Sequence, residues 1–188
     1  MKQLRVVVFF SGTGSTLKAL IDKQTNYKIV ATVCNNPHAE GIAHTINANI
    51  PCHVIDQLRF ANKIAFEQEV MRCLKFYDFE IIALAGYMHI LSPEFVLQYT
   101  GRIINIHPSL LPKYPGLNTY AKALAAGDKE HGTTIHYVTA EIDAGEIIAQ
   151  QQIPITPDDD ITSLTNKTKA AEQALYPQIL NKLAAHFA

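Results

Sequence analysis

The segment "LRVVVFF", residues 4–10, runs without a break into "SGTGSTLKALID", residues 11–22. A β-branched and aromatic run of this kind has no solvent face, so as a strand it must be covered on both sides. Leu17, Leu20 and Ile21 then recur at helical spacing, giving a strand, a glycine turn and a helix. The alternation continues along the chain. "YKIVATVCNN" reads as a second buried strand, "AEGIAHTINANI" as a short helix ahead of "PCHVID", and "FANKIAFEQEVMRCLKFY" as a helix with Ile64, Val70 and Leu74 on one stripe. "FEIIALAGY" and "GRIINIH" are further apolar strands. Apolar strands alternating with amphipathic helices predict an α/β fold with a mainly parallel sheet and helices on both faces.

The texture then changes. "GTTIHYVTAEIDAGEIIAQQQIPI" holds two strand-like runs around "TAEIDAG", which predicts an antiparallel C-terminal extension of the same sheet. In "PDDDITSLTNKTKAAEQALYPQILNKLAAH" the aspartates suit a helix cap, and Ile161, Leu164, Thr168, Ala171 and Leu175 follow at steps of three and four. Pro177 is expected to kink or interrupt that helix.

No repeat, low-complexity stretch or linker divides the chain, and 188 residues at 48% hydrophobic and 18% charged fit one domain over 1–188. The formal net charge of -1, with signs interspersed, offers no basic stripe for nucleic acid or an anionic membrane. A small-molecule partner is expected. Cys34, Cys52 and Cys73 lie far apart and fit neither a disulfide framework nor a zinc site, which points to reduced thiols in a cytoplasm. The basic start of "MKQLRVVVFF" resembles a signal peptide, but its apolar run is shorter than an h-region and no cleavage pattern follows. No segment is long and apolar enough to cross a bilayer.

Gly12, Thr13, Gly14, Ser15 and Thr16 lie between the first strand and the first helix, where unpaired N–H groups and the positive end of the helix dipole favour a phosphate. Leu17 replaces the third glycine of a dinucleotide fingerprint, and the second strand ends in Asn35 and Asn36 rather than an acid, which disfavours NAD. A Walker lysine is also missing. A phosphate monoester fits; a tight turn with no ligand is the alternative.

In "NIHPSLLPKYPG", Asn105 and His107 are two apart and share one side of a strand that Pro108 ends. The carboxyl end of a parallel strand is the edge where ligands bind, and the glycine turn lies on the same edge. An Asn amide can donate to a forming oxyanion, and a histidine can exchange a proton at neutral pH. Asp143, in "EIDAG", is the carboxylate best placed to orient His107 if the hairpin folds over that edge. Taken singly, each also reads as structural: a bonded core histidine, a turn asparagine and a loop aspartate. His136, in a strand, is a candidate for a supporting role. His38, His44, His53, His131 and His186 read as surface or packing residues, and none has metal-ligand spacing. No GxSxG elbow is present.

With "SGTGSTL", "LAGYMHILSPEF", "NIHPSLLPKYPGL", "GTTIHYVTAEIDAG" and "AEQALYP", the sequence resembles the folate-dependent phosphoribosylglycinamide formyltransferases through nearly its whole length. The resemblance implies a Rossmann-like formyltransferase fold, with 10-formyltetrahydrofolate as cosubstrate, glycinamide ribonucleotide as acceptor and no metal. It implies that Asn105, His107 and Asp143 are catalytic, and that Gly14, Ser15 and Thr16 hold the substrate phosphate. Lys169 and Glu172 would close on the nucleotide. Met88, His89, Ile90 and Leu91, with Thr139, Ala140, Glu141 and Ile142, would hold the pteridine.

Departures from the family pattern are His89 and Lys63 where Arg is frequent, Asn118 where His is frequent and Thr16 where Asn is frequent. The first two bear on the folate contacts, among which Lys63 is counted. Met88, Ile90 and Leu91 also read as core, and Lys169 with Glu172 as a solvated helix pair. A methionyl-tRNA formyltransferase is expected to carry a further basic C-terminal domain, and a formyltetrahydrofolate hydrolase an N-terminal regulatory domain. A non-catalytic sensor on the same fold is the rival from another class. Oligomeric state stays open, a homodimer included.

Overall fold

The computed structural model describes residues 3–186, with the side chain of His186 outside the described residues. Seven strands form one sheet in the order β3-β2-β1-β4-β5-β6-β7. They are β1 (Leu4–Phe10), β2 (Tyr27–Cys34), β3 (Cys52–Val54), β4 (Ile81–Leu84), β5 (Ile103–His107), β6 (Glu130–Tyr137) and β7 (Ile147–Pro154). The helices are α1 (Ser15–Asp22), α2 (Ile42–Asn47), α3 (Lys63–Leu74), α4 (Pro93–Gln98), α5 (Thr119–Ala125) and α6 (Ile161–Leu183). β1 to β5 pair in parallel, whereas β6 runs antiparallel to both β5 and β7. This is the expected parallel sheet with its antiparallel extension.

Period-two alternation divides the buried strands between two cores. Val6, Val8, Ile81, Ile104 and Ile106 pack under α1 and α6, against Leu17, Leu20, Tyr176 and Leu180. Val7, Phe9, Ile82, Leu84 and Ile103 pack on the opposite face against Phe66, Val70 and Leu74 of α3 and Phe95 of α4. Two covered faces explain why β1 and β4 carry no polar alternation. On β5, Asn105 and His107 take the same face as Ile103, at the end of the strand.

The last helix begins as its aspartates predict. Asp160 Oδ1 accepts the Ser163 N–H at 2.7 Å and Ser163 Oγ accepts the Asp160 N–H at 3.0 Å, a reciprocal cap. The expected interruption at Pro177 does not occur: α6 continues to Leu183. A proline withholds the N–H that the carbonyl four residues earlier would accept, here that of Gln173. Lys23 Nζ donates to the Gln173 carbonyl at 3.0 Å instead, so the helix passes the proline with that oxygen satisfied.

Tyr176 ties this helix to the sheet. Its fully buried hydroxyl lies 3.2 Å from the carbonyl oxygens of both Leu84, the last residue of β4, and Ile104, the second of β5. Tyr176→Phe keeps the ring and deletes the hydroxyl, so it should lower the unfolding free energy by about 1–2 kcal/mol without changing the fold. Urea denaturation followed by circular dichroism checks this; unchanged stability would mean that the hydroxyl does not pin α6.

Candidate active site

The antiparallel register of β5 and β6 pairs Asn105 directly with His136 and His107 with Thr134. Side chains directly opposed on antiparallel strands project to the same face. Asn105 Nδ2 accordingly lies 3.3 Å from His136 Nε2. His136 Nδ1 is 2.9 Å from the Tyr137 carbonyl, an acceptor only, so Nδ1 carries the hydrogen. In the neutral ring Nε2 accepts one amide hydrogen of Asn105 and leaves its second hydrogen free, whereas in the charged ring Nε2–H turns to the Asp143 carboxylate.

Asp143 joins this pair to His107. The loop between β6 and β7 turns back across the sheet edge, and a register shift between Ile135 and His136 marks a bulge there. Asp143 has φ of 50°, left-handed backbone that Asp tolerates better than most residues. Its carboxylate is shared: Oδ2 lies 3.3 Å from His107 Nδ1 and Oδ1 lies 3.6 Å from His136 Nε2. Oδ2 also accepts the Gly116 N–H at 2.8 Å. Burial disfavours the charge, but the His136 and Gly116 contacts and the nearby His107 outweigh it and hold the carboxyl below its usual range.

His107 Nε2 donates to the Tyr114 carbonyl at 2.9 Å, so the ring is held at both nitrogens and is 5% exposed. The segment supplying that carbonyl and the Gly116 amide has three left-handed residues, Tyr114, Gly116 and Asn118. It is tethered where Ser109 Oγ donates to the Lys113 carbonyl and the Tyr114 hydroxyl to Asp128, at 2.6 and 2.8 Å. Asn118 caps α5 from this left-handed conformation.

The glycine turn lies at the same carboxyl edge of the sheet, after β1. Gly14 (φ 71°) is the N-cap of α1 and packs so tightly on Gly41 that a Cβ on it would sit 2.6 Å from the Gly41 Cα. Gly12 and Thr13 are exposed, Ser15 is half-buried and Thr16 is buried, leaving the first-turn N–H groups of α1 as donors for an anion. Gly41, whose N–H donates to the Gly12 carbonyl at 3.1 Å, is part of this turn although its own segment gives no sign of it.

The other expected site residues separate into groups. Met88, Ile90 and Ile142 expose large apolar side chains, at 72%, 67% and 56%, whereas Leu91 is buried in the core beneath α4. Thr139, Ala140 and Glu141 are exposed, with Thr139 Oγ1 donating to the Glu141 carbonyl at 3.1 Å. Lys63 is exposed at the start of α3, and His89 points inward to Gln57 and Glu67. On α6, Lys169 is exposed and Glu172 half-buried, so they are not an evenly solvated pair. Desolvation pushes the Glu172 carboxyl up to about 7, with Lys169 only partly opposing it. His131 is buried against Tyr120, their ring centroids 5.3 Å apart. Among the described residues, no group of three or more His, Cys, Asp or Glu is placed to hold a metal, and no helix is long and apolar enough to cross a membrane.

The Glu172 shift has a stability consequence. The folded chain binds this proton more tightly than the unfolded chain, so its contribution is full below about pH 4.5 and is lost as pH rises through about 7. Glu172→Gln should therefore raise Tm by about 2–4 °C near pH 8.5 and lose that advantage near pH 4.5. Thermal denaturation of both proteins across pH checks the sign; an advantage that does not vary with pH would contradict it.

Comparison with known proteins places the chain in a family. Residues 4–180 match the formyl transferase family. The chain is 40% identical over 185 residues to the phosphoribosylglycinamide formyltransferase of Escherichia coli, covering 96% of this chain and 87% of that protein. It is 43% identical over 188 residues to the trifunctional purine biosynthetic protein adenosine-3 of Drosophila melanogaster, 14% of that longer protein. The crystal structure of phosphoribosylglycinamide formyltransferase from Brucella melitensis superposes with a TM-score of 0.93 at 42% identity, over 98% of this chain and 97% of that one. The chain belongs to the formyl transferase family.

Proposed function

We propose that the protein transfers the formyl group of 10-formyltetrahydrofolate to the amine of glycinamide ribonucleotide, giving formylglycinamide ribonucleotide and tetrahydrofolate in purine biosynthesis. It acts as one cytoplasmic domain over residues 1–188. The observation that carries this reading is the continuous chain Asn105, His136, Asp143, His107 at the edge that also holds the glycine turn.

The N–H groups of Gly12, Thr13, Gly14, Ser15 and Thr16 bind the nucleotide phosphate, and Lys169 and Glu172 close over the sugar side. Met88, Ile90 and Leu91, with the 139–142 loop, take the pterin. The neutral amine attacks the formyl carbon and the carbonyl oxygen becomes an oxyanion. It is held by the free amide hydrogen of Asn105 and by His107 Nε2–H, taking the place the Tyr114 carbonyl occupies in this structure. Asp143 orients His107 through Nδ1. As the carbon–N10 bond breaks, a proton passes from the new amide nitrogen to N10, relayed by the His107–Asp143 pair. The formyl group changes nitrogen, the proton moves the opposite way, and no oxidant is needed.

Absorbance of the purified protein with 10-formyltetrahydrofolate tests the acceptor. Folate should be consumed only when glycinamide ribonucleotide is added, and Asn105→Ala should lower kcat by about 10²-fold or more. Consumption without the nucleotide would make the protein a hydrolase, and an unchanged kcat would remove Asn105 from the oxyanion site.

A further inference from the structure

A second buried carboxylate–imidazole pair stands apart from Asp143. Glu67 of α3 is 2% exposed. Its Oε1 accepts the Ser92 N–H at 2.8 Å and faces His89 Nε2 at 3.1 Å, while its Oε2 accepts the Ser92 hydroxyl. Ser92 in turn caps α4, its Oγ accepting the Phe95 N–H at 3.1 Å. The segment between β4 and α4, which carries Met88 to Leu91, is thus fastened at its far end to a carboxylate on a neighbouring helix.

Its near end is fastened too, by hydrogen bonds that run on to His89. A backbone N–H can only donate, so Met88 N–H gives its hydrogen to Ser11 Oγ at 2.7 Å. Ser11 turns its own hydrogen to Asn35 Oδ1 at 2.6 Å. Asn35 Nδ2 donates to Gln57 Oε1 at 3.0 Å, and Gln57 Oε1 is the atom that meets His89 Nδ1 at 3.2 Å. With Gln57 accepting at one nitrogen and Glu67 at the other, the His89 ring donates from both. The uncharged rings of Phe66 and Tyr87 lie beside it, with ring centroids at 4.9 and 5.9 Å.

We propose that His89 is a positioning residue: an imidazolium clamped between Gln57 and Glu67 that fixes the Met88–Leu91 segment for the pterin, with no N–H left for the folate tail. This rests on the formyl-transfer reading. Burial of Glu67 alone would raise its carboxyl, but the bonds from His89 and Ser92 reverse that and hold it below its usual range, as a standing negative charge requires. Ser11, Asn35, Gln57 and Met88 also line an open cleft of about 350 Å³, so the bonds that lead to His89 reach the surface and not only the core.

Long-range ¹H–¹⁵N correlation of the imidazole nitrogens in the full-length wild-type protein near pH 7 reads the clamp directly, with His89→Gln used only to assign the signals. Both His89 nitrogens should show the protonated pattern; one bare nitrogen would overturn the proposal, whatever happens to any variant. In steady-state kinetics, Glu67→Gln should raise KM for the folate by about 5–20-fold while kcat and KM for the nucleotide change by less than about threefold. His89→Gln should raise KM equally for mono- and triglutamyl cosubstrate. An unchanged folate KM in Glu67→Gln, or an effect of His89→Gln on the triglutamyl form alone, would show that His89 serves the tail instead. A wild-type protein without formyl transfer would refute the functional reading, and the imidazole spectrum would still decide the charge of His89.

Discussion

A carboxylate taken out of water costs several kcal/mol unless its surroundings return the solvation it loses. Asp143 meets that requirement with two imidazoles and one backbone amide, and each arrives from a different part of the fold. His107 comes from the end of a parallel strand, His136 from its antiparallel neighbour, and Gly116 from the loop that follows Pro108. All three oppose the desolvation of the carboxylate, and they reach it only once the sheet edge has folded. The left-handed conformations at Tyr114, Gly116, Asn118 and Asp143 are the backbone requirement for bringing these segments together.

The sheet divides the work along its width. Its parallel half ends in the glycine turn, where helix geometry supplies N–H groups for an anion without side-chain charge. The antiparallel half supplies titratable groups, because direct cross-strand pairing places Asn105 against His136 in a way that a parallel neighbour would not. Between the halves, the segment after β4 is held by Glu67 and Ser11 from opposite ends. Its exposed Met88 and Ile90 are thereby carried on a backbone that is anchored on both sides.

Much of this was legible in the sequence, because the signals involved are local. Strands apolar on both faces read as buried parallel strands, the spacing of Asn105 and His107 placed them on one side of β5, and Asp160 announced the last helix. What was not legible depends on partners distant in the chain. The role of His136 follows from a register that only the paired strands define, and Gly41 matters only because the backbone of Gly14 reaches it. Pro177 continues a helix because Lys23 satisfies the Gln173 carbonyl, a contact across 150 residues. The inward turn of His89 could not be read without knowing that Gln57 and Glu67 flank it. α4 and α5, at six and seven residues, are too short to show a helical period.

The account stands on the charge of Asp143, and Asp143→Asn tests it with the least change of shape. The measurement is kcat for formyl transfer at saturating concentrations of both substrates, with KM for each. The account predicts a fall in kcat of about 10²–10⁴-fold with both KM values within a few-fold of wild type. A variant that keeps most of its kcat would show that the two imidazoles do not need the carboxylate, and the proposed proton path would have to be abandoned.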